Sequence, residues 1–161
     1  MQRRCAIPVR SVADYLDRHH YPYHSYNHPP ADRALDVAHA AHVPDDQLAK
    51  TVILNADGEL IMAVLPANQL VDRERLRRAV DATHLRFASE DEFRDRFPQC
   101  ETGGEPPLGK LYGMPVYLDD MLARQDWIAF NAGTHTEIIK MDMSTFRDMN
   151  EPVECSFTTW H

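Results

Sequence analysis

Lys50 stands where "PDDQLA" gives way to the apolar run "KTVILN". An ammonium at such a junction can face a cavity instead of bulk water, where it would hold an anionic or oxygen-rich ligand. The alternative is the solvated surface position that most lysines occupy. A second concentration of unusual residues is "ETGGEPPLG" at 101–109, with three glycines and two prolines in a chain that has 6 Gly and 11 Pro overall. Glycine lets another molecule approach the main chain, and proline fixes φ and removes an N–H. The product is a rigid loop with exposed amides, which either joins two elements or forms a backbone-lined wall. His135 in "NAGTHTEII", beside Gly133 at the start of a strand, is an imidazole able to orient a ligand or a turn histidine without a task.

Other chemistries find less support. Asp36, His39 and His42 are spaced three apart, but that series drifts around a helix, and no HExxH completes it; partly exposed polar residues and no metal are expected. The hydrolase signature GxSxG, the mononucleotide loop GxxxxGK[ST] and the dinucleotide loop GxGxxG are absent. Cys5, Cys100 and Cys155 form no CxxC pair and read as reduced thiols. A net charge of −8 disfavours binding along DNA or any long nucleic acid, which needs many Lys or Arg contacts to phosphate, yet permits a grip on one nucleic-acid end. The densest basic stretch, "DRERLRR", carries Asp72 and Glu74 and reads as a solvated helix.

The elements that must position these residues follow from pattern. The 161 residues, 43% of them hydrophobic, suit one domain with its own core. No apolar run reaches a membrane span or a signal peptide, so a cytoplasmic location without membrane contact is the expectation. "SVADYLDRHH" predicts an amphipathic helix capped by Ser11, "YPYHSYNHPP" an extended segment, and residues 31–42 a helix followed by a helical turn at "PDDQLA". "KTVILN" and "LIMAVLP" predict two paired strands turned by the Asp-Gly of "ADGE". Asp72 is expected to cap a helix to about Val80, Ser89 and Glu92 to form a capping box, and Ser144 to cap a last helix after the strands "MPVYLD", "DWIAFN" and "TEIIKMD". The tail "EPVECSFTTWH" has no period, although Phe157 and Trp160 could pack on the body or a partner.

Taken in order, "LAKTVIL", "GGEPPLG", "FNAGTHTEIIKMD" and a final capped helix resemble the YbaK family, also called the prolyl-tRNA synthetase-associated editing domain family, over roughly residues 8–150. The resemblance implies an α+β fold, a mixed, barrel-like β-sheet surrounded by helices, forming a single editing-type domain over 1–161 with residues 151–161 as a C-terminal tail. It implies a metal-independent deacylase, without a cofactor, that hydrolyses the ester of mischarged tRNA. The family's lysine falls on Lys50, and its GxxxP loop falls on 103–107, with Gly103 catalytic and Gly104 and Pro107 in the wall around the aminoacyl group. Asn131, Gly133 and His135 fall near the terminal adenosine. Some members carry Asn after the lysine where this chain has Thr51, which puts the choice of amino acid in doubt. The partners implied are the aminoacyl-tRNA acceptor end and a synthetase in trans, since this chain stands alone.

An aminoacyl ester is reactive, so its hydrolysis needs positioning and oxyanion stabilisation more than a strong nucleophile. The resulting expectation is that Lys50 pairs with an oxygen or phosphate at the tRNA 3′ end, that the 103–107 loop holds the aminoacyl group, and that the ribose 2′-OH assists proton transfer. A rigid wall should favour small side chains. The competing readings are a non-catalytic module of the same fold that holds a tRNA end or nucleotide, and a metal hydrolase built on the histidines.

Overall fold

The computed structural model describes residues 7–160 apart from 32, 99 and 102. Cys5 therefore lies outside the described residues. The chain begins with α1 (Ile7–Arg18), β1 (His24–Asn27) and α2 (Ala34–Ala41). Helix α1 runs through Ser11 rather than starting at it, so Ser11 is not its cap. "PDDQLA" is a turn leading into β2 (Leu48–Ala56) rather than a helical turn, and Lys50 is the third residue of that strand.

β2 pairs antiparallel with β3 (Glu59–Pro66), turned by Asp57 and Gly58 at φ 50° and 95°, the positive pair that an Asp-Gly hairpin turn requires. β4 (Gln69–Val71) follows, and Asp72 caps α3 (Arg73–Val80) by accepting the Arg75 N–H. After β5 (Leu85–Phe87), Ser89 and Glu92 form the expected capping box on α4 (Glu90–Phe93), which continues as a 3-10 turn at Arg94–Arg96. Then come α5 (Gly109–Tyr112), β6 (Val116–Asp119), α6 (Asp120–Ala123), β7 (Trp127–Asn131), β8 (Glu137–Asp142), α7 (Met143–Asn150), β9 (Val153–Cys155) and β10 (Thr158–Trp160). Helix α7 begins one residue before Ser144, with Asp142 at its cap position.

The fold is α+β: a mixed sheet of eight strands in the order β1-β8-β7-β2-β3-β6-β9, with β5 also on β2, flanked by helices, and a separate β4–β10 ribbon. One face of β2 packs Ala49 and Ile53 with Val12 and Leu16 of α1 and Phe146 and Met149 of α7. The other face joins Leu48 to Val37 and Ala38 of α2, and Leu54 to Leu76 of α3 and Phe157. Side chains alternate along a strand, so Lys50 falls on the second face, between those two apolar clusters.

The tail is part of the body. Phe157 is fully buried; its N–H donates to Asp119 Oδ1 at 3.0 Å and its carbonyl accepts from Asp72 N–H at 2.7 Å. Burying such a phenyl group contributes about 1.5–3 kcal/mol. Arg75 of the expected solvated helix reaches across to the Thr158 carbonyl and Ser156 Oγ, at 3.0 and 2.6 Å. Trp160 remains 67% exposed.

Candidate active site

The edge of β2 away from β3 is shared by two strands. β7 runs parallel to it at Leu48 and Ala49, and β5 antiparallel at Leu54 to Ala56. The residues between are paired to neither. In an antiparallel ladder the main-chain groups alternate in direction. Leu48 O accepts from Ala67 N–H on the β3 side and Ile53 O from Ala88 N–H on the opposite side, so the Thr51 main chain faces the gap. A cavity of about 210 Å³ occupies this gap, lined by Ala34, Leu48–Val52 on β2, Gly103, Glu105 and Asn131.

Lys50 supplies the positive charge. Its Nζ donates to the Gln69 carbonyl at 2.6 Å, and burial lowers its pKa from the usual lysine value. Gln69 lies on β4, which β10 pairs through Trp160, so the tail buttresses the strand that holds the lysine. Helix α2 brings its first residue, Ala34, to the same cavity, and its cap residue Arg33 makes no side-chain cap bond. The unsatisfied amides of a helix start carry the same sign as the lysine.

The opposite wall is the 103–107 loop. Gly103 takes φ 87°, a conformation that L side chains rarely adopt, and is exposed. Gly104 is buried against the loop after β7: its carbonyl accepts from Gly133 N–H at 3.0 Å, and Glu101 N–H donates to the Gly133 carbonyl at 2.8 Å. A Cβ on Gly104 would stand 3.1 Å from Gly133 C and 3.2 Å from Thr134 N, both main chain, so any other residue would press the two loops apart by a few tenths of an ångström. Glu101 strengthens it by accepting the His135 N–H at 2.6 Å.

Lys50, Thr51, Gly103 and Asn131 of the expected site residues thus line one cavity. Gly104 and Gly133 lie just behind, where they fix the loop. The His135 ring turns toward the 28–31 segment, with Nδ1 3.3 Å from the Ala31 carbonyl. Pro107 is not in the cavity wall; it is buried behind it, its carbonyl accepting from Asn150 Nδ2 at 2.9 Å. Proline there shapes the loop from the rear. Of the histidine series, His39 is 3.6 Å from Asp45, and His42 ends α2 at φ 58°. Among the described residues no group of three or more His, Cys, Asp or Glu is placed to hold a metal ion. Burial raises the Cys100 thiol pKa to about 11, which keeps it protonated at neutral pH.

Glu105 was overlooked from sequence. Its carboxylate lies in the cavity wall and accepts the Gly103 N–H at 3.0 and 3.1 Å. Burial raises its pKa; the Gly103 N–H and the nearby His135 oppose that shift, and Glu90 adds to it. Its signal in the sequence is an acid inside a Gly/Pro loop.

Residues 28–149 match the aminoacyl-tRNA editing domain. The chain belongs to that family. Over 62 residues it is 37% identical to proline–tRNA ligase of Streptococcus thermophilus, a stretch covering 38% of this chain and 10% of the ligase. The chain therefore spans only about a tenth of the length of the curated relatives it matches. Among solved structures, a candidate trans-editing enzyme for prolyl tRNA synthetase superposes with TM-score 0.81 at 19% identity, covering 94% of this chain and 97% of that one. A hypothetical protein superposes with TM-score 0.83 at 14% identity, covering 92% and 99%. These two likenesses show the editing-domain fold over nearly the whole chain, beyond the matched segment.

Proposed function

We propose that this editing-domain protein is a deacylase that hydrolyses the aminoacyl ester of mischarged tRNA and favours small side chains. One observation carries the reading: the Lys50 ammonium and the Gly103 main chain form two walls of a single 210 Å³ cavity. That volume is below the roughly 300–1,000 Å³ of ordinary small-molecule sites, and suits the end of a long ligand. Holding one acceptor end requires few phosphate contacts, in keeping with a net charge of −8.

Lys50 holds an oxygen of the terminal phosphate or ribose, helped by the start of α2. The 103–107 loop positions the acyl group, and the Gly103 N–H, held by the Glu105 carboxylate in this structure, polarises its carbonyl once that carboxylate turns away. A water oxygen then adds to the carbonyl carbon and the bond from that carbon to the ribose oxygen breaks. The water proton passes to the leaving ribose oxygen by way of the vicinal hydroxyl. No side-chain nucleophile is needed, because a main-chain donor at the developing oxyanion and the held geometry supply the stabilisation. Support for a steric preference comes from the docking of Gly104 on Gly133, which leaves the wall little room to retreat. The partner is the acceptor end of a tRNA charged by a synthetase acting in trans.

The test is a time course of ester loss with alanyl-, seryl-, cysteinyl- and phenylalanyl-tRNA, with and without chelator. Small esters are expected to be lost at least tenfold faster than phenylalanyl ester, with no effect of chelator. Equal rates for alanyl and phenylalanyl esters would defeat the steric reading. Tight binding without hydrolysis of any ester would establish the non-catalytic module instead.

A further inference from the structure

The cavity is bipolar. On one side Lys50 donates to a carbonyl oxygen, and no carboxylate is paired with it among the described residues. On the other side the Glu105 carboxylate accepts, among the described residues, only main-chain N–H groups, that of Gly103 and its own. An ionised carboxylate offers about four lone-pair sites, so acceptor capacity remains on the cavity side. Asn131 stands at the same glycine, with Nδ2 within 3.5 Å of the Gly103 carbonyl, and its buried Oδ1 has no hydrogen-bond partner among the described residues. Two acceptors, one of them anionic, therefore flank Gly103 while the cation sits across the gap.

An aminoacyl ester on a 3′-terminal nucleotide has the complementary polarity. Its α-ammonium lies two bonds from the ester carbonyl, and its phosphate lies beyond the ribose. With the carbonyl at Gly103 and the phosphate end at Lys50, the ammonium falls beside Gly103, where the acceptors are.

Resting on the deacylase reading for its orientation, we propose that Glu105, assisted by the Asn131 side-chain oxygen, binds the α-ammonium group of the aminoacyl ester and so makes the site selective for acyl groups with a free amine. A half-buried carboxylate held only by main-chain N–H groups gains from a cationic ligand, since a charge-assisted bond offsets its partial desolvation. The Gly103 N–H is occupied by this same carboxylate. An arriving ammonium draws Glu105 toward itself and leaves that N–H for the ester carbonyl, which links recognition of the amine to assembly of the oxyanion donor. Acyl groups lacking the amine, or carrying it acylated, leave Glu105 on Gly103.

The experiment uses two non-hydrolysable probes, 3′-deoxy-3′-alanylamido-adenosine and its propionyl counterpart, which differ only in the amine. Dissociation constants are measured by calorimetry for the full chain and for Glu105→Gln, and the Gly103 amide resonance is followed by NMR. Wild type is expected to bind the alanyl probe at least tenfold more tightly than the propionyl probe, with the Gly103 resonance moving for the alanyl probe alone. In Glu105→Gln the ratio should fall to within twofold. A glutamine oxygen can still accept the Gly103 N–H, and thermal unfolding checks that the variant is folded. A wild-type ratio near one overturns the proposal without reference to any variant, as does a ratio that survives in folded Glu105→Gln. Weak binding of both probes overturns it too. Ester hydrolysis is a separate readout: amine selectivity without hydrolysis defeats the deacylase reading and leaves this one standing, whereas hydrolysis without amine selectivity does the reverse.

Discussion

Two of the recesses in the described residues, one by α3 and β5 and one at the β2 gap, differ in what has been done with their charges. The larger, about 740 Å³, lies by α3 and β5 and is lined by Arg73, Arg77 and Arg86 together with Asp57, Glu74 and His84. Its charges are largely answered from within. Arg77 makes a two-point contact with Glu74, Arg86 with Glu92, and Asp57 accepts the N–H groups of Thr83 and His84. The smaller cavity, at the β2 gap, keeps Lys50 on a carbonyl and Glu105 on one amide of another residue. Size and arginine content would select the first recess. Unanswered charge in a partly desolvated place favours the second, because groups already paired gain little from a ligand, whereas half-buried groups without a counter-charge gain more.

Removing Lys50 should have the largest effect on that contrast. In Lys50→Ala the chain is expected to fold, since the lysine faces a cavity, while deacylation falls about a hundredfold or more, the scale lost with a charge-assisted contact to a reacting substrate. Circular dichroism and single-turnover ester loss check the two halves. Lys50→Arg should recover part of the rate and alter its pH profile. Burial lowers the folded-state pKa of Lys50, so a rate that needs the ammonium declines on the alkaline side with an inflection below 10.5, after subtraction of uncatalysed hydrolysis. Arginine stays charged and shifts that limb upward. The linked stability effect has a definite sign. Between the lowered value and 10.5 the unfolded chain binds the extra proton, so wild-type stability rises with pH there, and the contribution is missing in Lys50→Ala.

Gly104→Ala is expected to come next. The added Cβ meets main-chain atoms of Gly133 and Thr134, so the loop must lift, costing about 1–3 kcal/mol. A wall displaced by some tenths of an ångström should slow ester loss by roughly tenfold, with thermal unfolding and rate measured on the same preparation. The smallest effect is assigned to the larger recess: Arg77→Ala should leave the deacylation rate within about twofold. A large loss there would move the site to α3.

The sequence was most informative where local chemistry decides. Asp57-Gly58 set the hairpin, and Ser89 with Glu92 marked a helix start, because both signals act within four residues. The strands β6, β7 and β8 were legible as apolar runs. Strands β4, β5, β9 and β10 were not, since each has three residues, too few for a period, and is held by partners distant in sequence. The tail illustrates the reason: Asp119, 38 residues before Phe157, fixes it. In the candidate site, Lys50 and Gly103, which line the cavity, could be picked out by type and place. Pro107 could not be assigned to the rear of the loop, because its position depends on Asn150 of α7. The β2 gap itself is a property of pairing, visible only when β7 and β5 are seen to share one edge.

The most direct test of the site's location is amide hydrogen exchange on the full chain with and without 3′-deoxy-3′-alanylamido-adenosine at saturation. Exchange is predicted to slow at Thr51 and neighbouring β2 amides and at 101–105, with residues 73–86 unchanged. Protection confined to 73–86, with none at β2 or the glycine loop, would contradict it.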